Sequence, residues 1–69
     1  MDLRSYTKQE LALLYFPNSS PTVASAHLVR WIKRNPDLQK KLYESGYSDR
    51  SKEFTPIQVS YLYYFLGEP

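Results

Sequence analysis

The run Ser20-Pro21-Thr22-Val23-Ala24-Ser25-Ala26-His27-Leu28-Val29-Arg30-Trp31-Ile32-Lys33-Arg34-Asn35-Pro36 settles the architecture of this 69-residue chain. Ser20-Pro21 is an N-cap followed by a proline at the first helical position, where the missing amide hydrogen costs nothing. Asn35-Pro36 repeats the device and ends whatever helix precedes it, because the residue before a proline is pushed out of helical geometry. Between the two, Ala24, Leu28, Trp31 and Ile32 recur at helical spacing, which predicts one helix over 21–34 with those four side chains inward. Thr22, Ser25, Val29, Arg30 and Lys33 fall on the opposite side, an outer face of small, polar and basic groups.

Toward the N-terminus, Thr7-Lys8-Gln9-Glu10 is a capping box and Tyr6 and Leu11 occupy the staple positions around it. With Leu11, Ala12, Leu14 and Tyr15 as the apolar stripe, a helix is expected over 8–16, stopped by Pro17. Asn18-Ser19-Ser20 is turn chemistry. Toward the C-terminus, Asn35-Pro36 opens a third helix over 36–45, with Asp37 at the positive end of its dipole and Leu38 and Leu42 inward. Gly46 suits the left-handed position past its end, and Tyr47 is placed to fold back on Leu42. Phe54-Thr55-Pro56-Ile57-Gln58-Val59 combines staple, cap, proline and box, so a fourth helix runs over 56–66 to Gly67. The expected fold is mainly α: a small, four-helix, helix-turn-helix-like single domain over 1–69, with 47–54 either a short β-hairpin wing or an irregular loop.

Composition narrows the function classes. Folding buries only about 60% of the unfolded surface in a chain this short. With no cysteine and one histidine, the core must be held by packing rather than by disulfides or a metal. No leader-like apolar run opens the chain and no run approaches the ~20 residues that cross a bilayer, so no membrane is implied and a cytoplasmic protein is expected. His27 has no nucleophile and orienting acid with which to build a triad. Asp37 and Glu44 are two turns apart on an exposed helix, and Asp49 stands nearly alone among hard-cation ligands. These absences argue against an enzyme, a metal, a cofactor or a small-molecule substrate.

Net charge is +2, and its distribution is uneven: Arg30, Lys33, Arg34, Lys40 and Lys41 are opposed locally only by Asp37. Two short helices joined by a tight turn, the second presenting such a face, are what helix-turn-helix recognition of double-stranded DNA requires. In that reading Thr22, Ser25, Arg30, Lys33 and Arg34 face the groove, while Arg50 and Lys52 on the wing-like segment touch backbone phosphates. The alternative is a module that binds itself or another protein through its tyrosine-rich last helix. Ile57, Tyr61, Tyr64 and Phe65 are there expected inward, leaving Val59 and Tyr63, with Leu66, partly exposed for the partner.

The stretch Tyr6-Thr7-x-x-Glu10-Leu11-Ala12 resembles the opening helix of excisionase-type and MerR-type winged-helix regulators, which implies DNA binding. The turn Phe16-Pro17-Asn18-Ser19-Ser20 departs from their glycine-containing one. Nearly the whole chain, from Ser5-Tyr6-Thr7-Lys8 through Trp31-Ile32 and Asn35-Pro36 to Leu66-Gly67-Glu68-Pro69, resembles domain-of-unknown-function family 4248, short proteins of gut-dwelling bacteria. That resemblance implies a non-secreted bacterial protein and supplies no mechanism.

Overall fold

Each helix begins where a side chain takes over an amide that the helix itself leaves unpaired. The computed structural model describes residues 3–48 and 50–69, with the order β1 (Tyr6–Thr7), α1 (Lys8–Tyr15), α2 (Pro21–Lys33), α3 (Pro36–Glu44), β2 (Glu53–Phe54) and α4 (Pro56–Leu66). At α1 the Glu10 amide donates to Thr7 Oγ1 at 3.1 Å and the Thr7 amide donates to Glu10 Oε1 at 2.9 Å, a complete capping box. Thr55 and Gln58 reproduce it at α4, while Ser20 and Asn35 cap α2 and α3. The four helices therefore lie within a residue or two of the positions expected from local signals alone.

Termination of α3 is equally local. Gly46 has φ +97°; its amide donates to the Tyr43 carbonyl at 3.1 Å, and the Tyr47 amide donates to the Leu42 carbonyl at 3.0 Å. This is the paired bonding of a Schellman motif, and it turns Tyr47 into the core. There its ring stacks on Phe54 at 5.3 Å between centroids and on Tyr43 at 5.8 Å.

β1 and β2 pair antiparallel, with Tyr6 opposite Phe54 and Thr7 opposite Glu53. The β element near 47–54 thus exists, but its partner strand is the start of the chain rather than a second strand within the segment. Beyond the pair, the Lys8 amide donates to the Lys52 carbonyl at 2.8 Å, which ties the 50–52 segment to the first turn of α1.

The core gathers Leu11 and Ala12 of α1, Ala24, Leu28 and Ile32 of α2, Leu38 and Leu42 of α3, and Val59 and Leu62 of α4, closed by Tyr6, Tyr47 and Phe54. One polar side chain joins them. Gln58 is buried, accepts from the Thr55 amide, and donates through Nε2 to the Ser45 carbonyl at 3.2 Å, locking the start of α4 to the end of α3. Burying this amide is tolerable because both of its ends are bonded.

Three expectations about facing are corrected. On α1, Leu14 is exposed and Leu13 packs against the core instead. On α2, Trp31 is 37% exposed: Ala24, Leu28 and Ile32 fill the centre of the buried stripe, and Trp31 lies about 60° round the helix from Leu28. The indole rests edge-on against Phe16, centroids 4.6 Å apart, and Tyr15 at 6.0 Å. On α4 the buried side is Gln58, Val59 and Leu62, while Ile57 and Tyr64 face solvent. Gln58's bond to the Ser45 carbonyl goes with that rotation, which apolarity alone does not specify when both sides of the helix are apolar.

Candidate nucleic-acid interface

The outer face of α2 forms a shallow concavity of about 360 Å³ lined by Ser25, Ala26, Val29, Arg30 and Lys33. It lies on this side because the opposite stripe of the same helix is committed to the core. Small side chains at 25 and 26 open the hollow, and Arg30 and Lys33 in the last turn complement the negative end of the helix dipole.

A second concavity, about 660 Å³, lies where the first turn of α1 meets the 50–52 segment, with Lys8, Ser25, Arg50 and Lys52 among its lining residues. Its walls are set by the β1–β2 pair and the Lys8-to-Lys52 backbone bond. The Ser51 amide donates to the Ser48 carbonyl at 3.0 Å and the Ser48 amide to Ser51 Oγ at 3.0 Å, so the turn presenting Arg50 is itself cross-braced. Lys8 lies against the core from the same side, its Nζ 5.1 Å from the centroid of the Tyr47 ring.

Ser25 lines both hollows, so the two adjoin at that residue. Its Oγ is buried and bonded to nothing among the described residues. Lys8, Arg30, Lys33, Arg50 and Lys52, five of the nine basic residues, line the two hollows, and among the described residues no acidic side chain is part of either lining. By contrast the hollow between α3 and α4 mixes Asp37 and Glu44 with Lys40 and Lys41.

Of the residues singled out from the sequence, Ser25, Arg30, Lys33, Arg50 and Lys52 are brought together. Thr22 is exposed on the outer side of α2 but borders neither hollow. Arg34 is the C-cap of α2, one turn beyond Arg30, and lines neither hollow. Lys8 was missed by sequence reasoning: its place depends on a strand pairing across more than forty residues, and no local signal announces that pairing. The pair nominated for protein contact fares worse. Val59 is fully buried, and Tyr63 is half-buried with its hydroxyl inside the protein.

Fold and surface together define a small, mainly helical domain with basic side chains lining two neighbouring hollows. No helix is long and apolar enough to cross a membrane among the described residues. The chain belongs to the family described as Domain of unknown function (DUF4248), which matches residues 2–69. No curated protein and no solved structure matches it.

Proposed function

We propose that this domain is a cytoplasmic, non-catalytic DNA-binding module that takes the backbone of double-stranded DNA along the face shared by α2 and the 50–52 segment. The single observation carrying the reading is the convergence of five cations on one face joined through Ser25. A duplex presents two rows of phosphates, and a protein that neutralises them gains most of its affinity from released counterions. A helix outer face with a second cationic element beside it suits that geometry in the helix-turn-helix manner. Arg30 and Lys33 then lie along the groove, with Arg50 and Lys52 on flanking phosphates. No cofactor, metal or small-molecule substrate enters this reading.

Fluorescence anisotropy with a short mixed-sequence duplex at low salt tests it. Binding is expected, weakened by Arg30→Ala, Lys33→Ala, Arg50→Ala and Lys52→Ala, and left unchanged by Lys40→Ala or Lys41→Ala on α3. Absence of binding at low salt, or equal losses from the α3 variants, refutes it.

A further inference from the structure

α4 contains no charged residue from Pro56 to Leu66, and its buried residues are Gln58, Val59 and Leu62. A helix at the surface of a small domain ordinarily opposes its apolar stripe with charged side chains, and one apolar all round is ordinarily covered all round. Here the uncovered side carries Ile57, 53% exposed, and Tyr64, 82% exposed, two turns apart on one stripe with Ser60 between them. Tyr64 stands between two hollows. One it shares with Leu3, Ser60, Tyr63 and Glu68, the other with Asp37, Lys40, Lys41 and Glu44 of α3.

We propose that this face is the interface of a symmetric homodimer, its occupant a second copy of this chain. The rim of the α3 hollow holds two acids and two bases, so a second copy brings both signs to it and can set its lysines against the carboxylates of the first. A partner of a single sign gains nothing from such a rim. The central feature is self-complementary in shape as well, because a projecting ring beside a hollow lets each Tyr64 seat in the other copy's hollow, as an isologous contact demands. A standard interface takes about 800 Å² from each partner, a little under a fifth of the 4478 Å² of this chain. Nothing in this proposal depends on DNA binding.

Sedimentation equilibrium from low micromolar to near-millimolar protein measures the dimer. Tyr64→Glu and Ile57→Asp are expected to weaken it on the order of 30-fold or more, as for a central interface anchor, with unchanged circular dichroism because both side chains are exposed in the single chain. The fourfold reversal Asp37→Lys, Lys40→Glu, Lys41→Glu, Glu44→Lys keeps the rim self-complementary. It is expected to dimerise with itself yet exchange poorly with the natural chain in native mass spectrometry. A monomer at the highest concentration, a dimer indifferent to Tyr64→Glu and Ile57→Asp, or free exchange between the two rim versions overturns the proposal.

Discussion

Gly46 shows how much a single position contributes to where the chain turns. Its φ of +97° lies in the left-handed region, and a Cβ built there meets nothing within 4 Å, so any cost of Gly46→Ala is backbone strain rather than a clash. Urea unfolding is expected to show a loss of about 1 kcal/mol, and a smaller one for Gly46→Asn, which tolerates this conformation. No loss with Ala would remove strain from the account. Two phenols make a second prediction. Burial, with the nearby Tyr63 and Glu68, pushes Tyr15 up to about 12; burial, with the Tyr6 hydroxyl alongside, does the same for Tyr63. Unfolded tyrosines titrate near 10, so between about pH 10 and 12 the unfolded chain releases these protons first. Stability from this source is fully present below pH 10 and falls as pH rises through the window. Urea midpoints of Tyr15→Phe/Tyr63→Phe should decline less steeply there than those of the natural chain, and parallel declines count against the assignment. Caps, boxes and the Gly46 stop were legible in the sequence because each is decided within four or five residues.

The facing of elements was legible only where charges mark the outer side. α2 displays Arg30 and Lys33 opposite Ala24, Leu28 and Ile32, and its inner stripe is as expected except for Trp31. α4 has no charge to mark a side, and the expected rotation placed Ile57 and Tyr64 inward where Val59 and Leu62 lie. In the observed rotation Gln58 bonds the Ser45 carbonyl, a tertiary contact absent from any local pattern. The α2 outer face permits a test in which stability and binding move in opposite directions. Ala26 is exposed and borders the same hollow as Arg30, one turn away. Ala26→Glu places a carboxylate four residues before that arginine, an arrangement worth roughly 0.3–0.5 kcal/mol to a helix. It also puts negative charge where phosphate is proposed to sit. The melting temperature should hold or rise slightly while duplex affinity falls. A variant that binds as well as the natural chain would dissociate α2 from the interface.

At the scale of the whole molecule a net charge of +2 is the sum of unlike patches. The sequence revealed the basic excess between 30 and 41, yet the structure divides it: Arg30 and Lys33 join the face of the two adjoining hollows, whereas Lys40 and Lys41 share a hollow with two acids on α3. Lys8 and Lys52 join the face only because β1 and β2 bring the start of the chain beside the 50–52 segment. Counterion release makes this arrangement measurable. Each neutralised phosphate contributes about −0.9 to the slope of log affinity against log salt, so engagement of all five cations predicts a slope of about −4.5. Lys52→Ala and Arg50→Ala should each flatten it by about one, by similar amounts on duplexes of unrelated sequence, since phosphate contacts carry no sequence information. Lys40→Ala should leave the slope where it was. A slope near −2 in the natural chain would mean that only about two of the five reach phosphate together. Which two is then read from the variants: flattening with Arg30→Ala and Lys33→Ala but none with Arg50→Ala and Lys52→Ala would put the α1 and 50–52 side of the face outside the contact.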